Sequence, residues 1–171
     1  MFIIIFIKDL LQNHFCFWLS TADNKKQKTR NEKRNIMSLS IKKIKTLTVE
    51  LDTRPGSLCH VFNAFKEAFV YVQSSWAYEM GPDKAEVIFC VSDANKAEEV
   101  LKLMDKTPHL SHAICAEGDD YTGAYAELLN KIAAKNISIN ATDAQAVGSK
   151  FVAVFFADDE NLEKMCSLFD L

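Results

Sequence analysis

The sequence lacks the short motifs that mark common catalytic sites. It contains five glycines, which form neither a glycine-rich phosphate-binding loop nor a Gly-x-Ser-x-Gly nucleophile elbow. Its five cysteines are scattered and include no Cys-x-x-Cys pair, a distribution typical of small buried residues in a reducing compartment. An enzymatic function therefore has no residues to support it, and we predict a cytoplasmic protein without a cofactor.

Possible zinc ligands are few and poorly arranged. His109, His112 and Cys115 lie on one predicted strand, each three residues from the next. On a strand this spacing places successive side chains on opposite faces, so the three cannot converge on a zinc ion, which needs four ligands. We therefore predict no metal site.

The part of the chain that is predicted to fold is acidic. Residues 1–36 have a net charge of +4, whereas residues 37–171 have a net charge of −7. Because nucleic-acid binding needs a basic face, the acidic main part predicts that nucleic acid is not a partner.

The apolar start of the chain is not a clear membrane helix. Residues 1–20 are interrupted by Lys8, Asp9 and His14, whereas a membrane helix needs about 20 apolar residues with few or no charges. Residues 23–35 are predicted to form a polar linker. We predict that residues 1–36 lie outside the fold, as an upstream extension without function, a membrane anchor or an export signal, and we expect no membrane partner.

A chain that begins at Met37 is expected to fold with unchanged cooperativity, because the preceding segment matches nothing in the predicted fold and is joined to it by a polar linker. Thermal unfolding of the truncated and full-length chains tests this. A lower melting temperature or a loss of solubility on truncation would show that the removed segment packs against the fold.

The main feature of the chain is a repeat, in which two segments with one pattern are related by a fixed offset. Residues 50–58, Glu-Leu-Asp-Thr-Arg-Pro-Gly-Ser-Leu, correspond to residues 117–125, Glu-Gly-Asp-Asp-Tyr-Thr-Gly-Ala-Tyr. A period of this length suits two copies of a small domain, which we place at residues 37–110 and 111–171. The matched pairs include Asp52 with Asp119, Gly56 with Gly123, and Phe89 with Phe156.

Each repeat has the pattern of a strand, a helix, two strands and a second helix. Alternating apolar residues predict strands, and apolar stripes at helical spacing predict helices that are apolar on one face. In the first repeat, Ser57 is a candidate cap for the first helix, and Asp93 or Asn95 for the second. The predicted strands are residues 44–51, 70–78, 85–91, 111–117, 137–144 and 150–157, and the first helix of the second repeat is predicted at 123–135.

The chain has too few strands for two separate four-stranded sheets. We therefore predict that strand 110–117 pairs on both edges, with strand 44–51 on one side and strand 150–157 on the other. The result is an α+β fold: a continuous six-stranded antiparallel sheet with four helices on one face.

The motif Asp-x-x-Pro-Gly-x-Leu, formed by Asp52, Pro55, Gly56 and Leu58 between a strand and a helix, resembles the ACT domain. This small ligand-binding module is named after aspartate kinase, chorismate mutase and prephenate dehydrogenase. Two copies on a short chain resemble the stand-alone tandem ACT-domain proteins of bacteria. The resemblance implies a ferredoxin-like fold, a homo-oligomer such as a homodimer, and an amino acid or similar metabolite bound where two ACT domains meet. It also implies a regulatory role toward an enzyme or a promoter.

The strand-to-helix loop also has physical properties that suit an amino acid. The first N–H groups of a helix can bind a carboxylate, and Asp52 can bind an ammonium group. In the second repeat Thr122 replaces the proline of the motif and Tyr125 replaces its leucine. Ordinary turn chemistry also explains proline, glycine and aspartate here. The candidate ligand-binding residues are Asp52, Arg54, Pro55, Gly56, Ser57, Leu58, Ser74, Asp119, Thr122, Gly123 and Asn140.

Three functions follow from these observations. The first is a non-catalytic sensor that binds an amino acid and regulates an enzyme or its own dimer. The second is a structural interaction module that pairs through its open sheet edges, strands 70–78 and 137–144. The third is an enzyme on a ferredoxin-like scaffold, which no motif supports.

Overall fold

The computed structural model describes residues 39–171, and the predictions about residues 1–36 lie outside the described residues. The described strands are β1 (Ser40–Leu51), β2 (Val72–Gly81), β3 (Lys84–Val91), β4 (His109–Asp119), β5 (Ala141–Val147) and β6 (Lys150–Phe156). The described helices are α1 (Ser57–Glu67), α2 (Ala94–Leu103), α3 (Ala124–Ala133) and α4 (Asp159–Leu168). None of these four helices is long and apolar enough to cross a membrane.

The six strands form one antiparallel sheet in the order β2-β3-β1-β4-β6-β5. The prediction of a shared strand is confirmed, because β4 pairs with β1 along one edge and with β6 along the other. Ile114 in β4 faces Lys43 of β1 and Phe155 of β6. The two repeats are therefore joined through the centre of one α+β sheet.

Two hydrophobic clusters lie between the sheet and its helices, one in each repeat. In the first cluster Phe65 of α1 packs edge-to-face against Phe89 of β3, with ring centroids 5.2 Å apart. In the second cluster Met165 of α4 and Leu128 of α3 pack with Phe155 of β6. Both clusters use the sheet face predicted to carry the helices, so the opposite face has no described helix over it.

The largest departures from the predicted element boundaries are at the starts of β5 and β1. β5 begins four residues later than predicted, at Ala141, because Ile137 is buried in the second core directly after the turn that follows α3. Asn136 in this turn has a left-handed φ of 53°. β1 begins four residues earlier than predicted, at Ser40, because its first half pairs with β4 as far as Glu117.

One predicted match between the repeats is wrong by one position. Phe89 faces Leu47 of β1, and Phe155 faces Ile114 of β4. Since Leu47 and Ile114 are related by the same offset as Gly56 and Gly123, Phe89 corresponds to Phe155 and not to Phe156.

A β-bulge in the first hairpin explains this shift. The register of β2 against β3 changes between Glu79 and Gly81, so Met80 is an extra residue on β2. The equivalent strands β5 and β6 pair without a register shift. Beyond the hairpin the offset between the repeats is therefore shorter by one position, and Lys84 corresponds to Lys150.

Candidate ligand-binding site

The loop between β1 and α1 is organised by the side chain of Asp52. Its carboxylate accepts hydrogen bonds from the backbone N–H of Arg54 (3.2 Å), from the guanidinium of Arg54 (2.7 Å) and from the hydroxyl of Ser57. The N–H of Ser57 also donates to the carbonyl of Arg54 at 3.1 Å. Asp52 therefore ties the end of β1 to the start of α1.

These contacts stabilise the ionised form of Asp52. The hydrogen bond from the Arg54 guanidinium, followed by that from Ser57, holds the pKa of the Asp52 carboxyl well below its usual range. Asp52 in turn raises the pKa of Arg54. A carboxylate of lowered pKa contributes stability above its unfolded-state pKa, and this contribution is lost as the pH falls through the folded-state pKa.

Asp52→Asn is therefore expected to lower the melting temperature at pH 7, because the substitution removes the charge that holds Arg54. The difference from wild type should narrow as the pH falls below about 4, the region of an ordinary carboxyl pKa. Thermal unfolding measured from pH 7 to pH 2 tests this. Glu99→Gln, which removes an equal charge from the exposed face of α2, is the control, and an equal effect of both variants would contradict a specific role for Asp52.

The first turn of α1 is open to a ligand. Its N-cap is Gly56, whose φ of 95° lies in the left-handed region, and no side chain caps the helix. The predicted cap, Ser57, instead donates its hydroxyl to the loop carboxylate. Within residues 39–171, the backbone N–H groups of Leu58 and Cys59 have no acceptor. Such groups at the positive end of a helix can bind a carboxylate.

A cavity of about 260 Å³ lies beside this turn. Its volume is slightly below the roughly 300–1,000 Å³ found for ligand pockets, so it suits a small ligand of amino-acid size. The strands on its other side contribute Ala77, Glu79 and Ala85. Five predicted site residues line the cavity, namely Asp52, Arg54, Gly56, Ser57 and Leu58.

The sheet side of the cavity was not predicted from the sequence. Leu51, Ala85 and Glu79 lie side by side on β1, β3 and β2, and the small side chain of Ala85 leaves space between its neighbours. Glu79 is exposed, and it forms no ion pair with any described residue. The alternation of β2 places Ala77 and Glu79 on one face, but only the register with β3 places them beside the loop.

The equivalent loop of the second repeat keeps the backbone shape but has different partners. Gly123 has a φ of 100° and is the N-cap of α3, again without a side-chain cap. Asp119 forms an ion pair with Lys150 at 2.7 Å, and the N–H of Asp120 donates to the carbonyl of Ser149 at 2.8 Å. This loop is therefore tied to the β5–β6 hairpin.

An aromatic ring occupies the position that is open in the first repeat. Phe151 corresponds to Ala85 and faces Gly118 across β4 and β6. A Cβ atom on Gly118 would lie 2.8 Å from the ring of Phe151, so the ring packs directly over this glycine. Phe151 is buried, and it fills space that Ala85 leaves empty in the first repeat.

A second aromatic side chain connects the first turn of α3 to the sheet. Tyr125, which corresponds to Leu58, stacks on Phe155 with ring centroids 6.0 Å apart. The Tyr125 hydroxyl also hydrogen-bonds the Thr142 hydroxyl of β5 at 2.9 Å. The second repeat therefore uses its own side chains where the first repeat has an accessible cavity.

Six of the predicted site residues do not line the first-repeat cavity, and two of them, Asp119 and Gly123, belong to the second-repeat loop described above. Ser74 faces Cys90 across β2 and β3, on the sheet face that carries no described helix. Thr122 and Asn140 are exposed in the second repeat. Pro55 belongs to the first loop but is not among the residues that line the cavity.

A second cavity of about 330 Å³ lies at the opposite end of β3. Polar residues on its surface include Lys45, Gln73, Ser92 and Asn95. No residue of the predicted ligand site lines it.

The cysteines of the described chain are free thiols and form no obvious chemical site. They are Cys59, Cys90, Cys115 and Cys166. Burial raises the pKa of the Cys90 and Cys115 thiols, which disfavours their reactive thiolate form. Among residues 39–171, no three His, Cys, Asp or Glu side chains are placed to bind a metal ion.

Solved structures share the fold of this chain. Protein BT0572 from Bacteroides thetaiotaomicron superposes with a TM-score of 0.69 at 18% sequence identity, over 76% of this chain and 88% of that one. The ligand-free regulatory subunit of aspartate kinase from Thermus thermophilus superposes with a TM-score of 0.54 at 16% identity, over 78% and 96% of the two chains.

A third related structure is a putative C-terminal regulatory domain of aspartate kinase from Porphyromonas gingivalis, with a TM-score of 0.50 at 12% identity over 79% and 96% of the two chains. No protein-family model and no curated protein matches the sequence. The resemblance predicted from the Asp-x-x-Pro-Gly-x-Leu motif is confirmed at the level of structure: this chain has the fold of ACT-type regulatory domains.

Proposed function

We propose that this protein is a non-catalytic regulatory sensor that binds a free amino acid, or a similar small zwitterion, in the first-repeat cavity. The observation that carries the proposal is the cavity of about 260 Å³ beside an uncapped helix. The ligand carboxylate would accept hydrogen bonds from the N–H groups of Leu58 and Cys59. The second repeat would act as a scaffold, because Phe151 and Tyr125 occupy the corresponding space.

The ammonium group of the ligand is assigned to Glu79. Asp52 was predicted for this role, but both of its carboxylate oxygens already accept hydrogen bonds within the loop. Glu79 lies across the cavity and forms no ion pair with a described residue. Asp52 would therefore shape the loop, and Glu79 would select ligands that carry a positive charge.

A regulatory role agrees with the solved structures that share this fold. Two of them are regulatory parts of aspartate kinase. We propose by analogy that this protein acts in the cytoplasm on a partner enzyme or on its own homodimer, and that ligand binding changes that interaction.

Screening the twenty amino acids by thermal shift is expected to identify a ligand. A ligand at 100 times its dissociation constant should add about 2.7 kcal/mol to the free energy of unfolding. The ligand is then compared, by calorimetric titration, with the carboxylic acid that lacks its amino group. Wild type should prefer the amino acid, and Glu79→Gln should lose this preference.

The outcomes separate the two parts of the proposal. If no amino acid stabilises the wild-type protein, the sensor function is wrong. If an amino acid binds wild type and Glu79→Gln equally well, the sensor function stands and the assignment of Glu79 is wrong.

A structural interaction module remains the second candidate, because β5 is exposed along most of its length. Its outer edge has no strand partner in the sheet of the described residues, and Asp143 is its single charged residue. Such an edge can pair with a strand of another copy. Sedimentation analysis of wild type and Ala144→Pro tests this, and loss of a dimer in the variant alone would support pairing through β5.

A further inference from the structure

The two edge strands of the sheet, β2 and β5, contact each other through their side chains, although four strands lie between them in the sheet order. Trp76 of β2 donates its indole N–H to the carboxylate of Asp143 on β5, at 2.5 Å. The ring of Trp76 also contacts Phe156 of β6 edge-on, with centroids 5.5 Å apart. Because β2 and β5 are opposite edges of one sheet, the sheet must curl until its edges come within reach of one side chain.

The contact joins equivalent positions of the two repeats. Trp76 faces Ile88 of β3, and Asp143 faces Val154 of β6. Asp143 follows Trp76 by the same offset that relates the first loop of one repeat to that of the other. Because its two partners are equivalent residues, the hydrogen bond lies where an approximate twofold axis relates the two repeats. A movement of one repeat relative to the other therefore changes the distance between the partners.

Additional contacts and buried residues surround this point. The amide of Gln145 donates to the same Asp143 oxygen at 3.0 Å. Thr46, Ile88 and Cys90 lie on the same concave sheet face and are buried, although the four described helices pack on the other face. If the contact between the sheet edges opened, part of this buried surface would become exposed to solvent.

β2 connects the edge contact to the proposed ligand cavity. Successive residues of a strand point to opposite faces, so Trp76 lies on the concave face while Ala77 lines the cavity, and Glu79 lines it two residues further on. A ligand that draws β2 toward α1 therefore also moves the residue that reaches Asp143.

We propose that Trp76, Asp143 and Phe156 form a closure between the sheet edges, and that β2 couples occupancy of the first-repeat cavity to this closure. The existence of the closure is independent of the ligand, whereas the coupling rests on the proposed function. The closure would be the element through which a ligand bound to one repeat changes the arrangement of the other.

Tryptophan fluorescence tests the closure without a ligand. The chain has two tryptophans, Trp18 and Trp76, so a Trp18→Phe background leaves Trp76 as the reporter. Asp143→Ala in this background should shift the emission to longer wavelength and increase quenching by acrylamide, while the circular dichroism stays unchanged. Asp143→Asn keeps an oxygen acceptor and should restore most of the protection. Unchanged emission and quenching in Asp143→Ala would overturn the closure.

Calorimetric titration then tests the coupling. Asp143 does not line the cavity. An effect of Asp143→Ala on ligand affinity must therefore be indirect and transmitted by a change in the protein structure. Because coupling is reciprocal, the variant should change the dissociation constant of the amino acid by roughly fivefold or more, and the ligand should alter Trp76 emission in the Trp18→Phe chain. Glu99→Ala, an exposed position on α2, should change neither quantity.

Each result has a distinct meaning. If Asp143→Ala exposes Trp76 but leaves the affinity for the amino acid unchanged, the result supports the closure and overturns the coupling. Failure of every amino acid to bind wild type would overturn the proposed function and the coupling together. The acrylamide quenching of Trp76 would still show whether the closure exists.

Discussion

Ile114→Pro is expected to unfold both repeats together. Ile114 is fully buried in β4, which has a paired strand on each side at this position. Whichever neighbour its N–H faces, proline removes a hydrogen-bond donor inside the sheet. The substitution also removes a core side chain, which alone costs about 2–5 kcal/mol of a typical total stability of about 5–15 kcal/mol.

Ile114→Ala is the matched control, because it shortens the same side chain and keeps the backbone donor. This variant should remain folded with a lower melting temperature, whereas the proline variant should lose cooperative unfolding. Amide hydrogen exchange reports on each repeat separately. If the proline variant lost protection in one repeat while the other stayed protected, the shared strand would not be the common support of the two cores.

Gly56→Val is expected to abolish amino-acid binding while the fold survives. Gly56 has a left-handed φ, and a Cβ atom there would meet no atom closer than 3.9 Å. The cost to stability is therefore backbone strain on the order of 1–3 kcal/mol, which a typical fold tolerates. The branched side chain would stand over the first turn of α1 and block the approach of a carboxylate to its N–H groups.

The second repeat supplies a matched control for this experiment. Gly123 has nearly the same φ, and a Cβ atom there would meet nothing within 4 Å. Gly123→Val should therefore strain the chain to a similar extent and leave amino-acid binding intact. Calorimetric titration and thermal unfolding of both variants measure the two effects. Equal affinity in wild type and Gly56→Val would place the ligand elsewhere, and loss of binding in Gly123→Val would give the second loop a role in the site.

Much of the topology could be predicted because it depends on segment lengths. The few residues between α2 and β4 leave no room for a separate strand, and this required β4 to serve both repeats. The start of β5 could not be predicted in the same way, since Ile137 is a residue type that favours strands but is buried in the core between the turn after α3 and β5. Local sequence describes which residues are apolar, whereas the surrounding core decides which of them continue a strand.

One side of the candidate site could also be predicted from the sequence, whereas the other side could not. The loop side of the cavity was identified because a proline, a glycine and an aspartate follow one another at a strand-to-helix junction. Its sheet side depends on register: the bulge at Met80 sets where Glu79 lies relative to Ala85. We propose a loop-shaping role for Asp52 in place of ammonium binding, because its hydrogen bonds to Arg54 and Ser57 occupy the carboxylate.

The sequence by itself determined the repeat, because two segments of the chain share one pattern of residues. It also determined the alternation of strands and helices and the position of the Pro-Gly loop, because these follow from residues close together in the chain. The tertiary structure alone decided that Phe151 fills one cavity while Ala85 leaves the other open, since their neighbours come from different strands. It alone also decided that Trp76 reaches Asp143. That contact depends on the twist summed over six strands, which no local pattern of residues specifies.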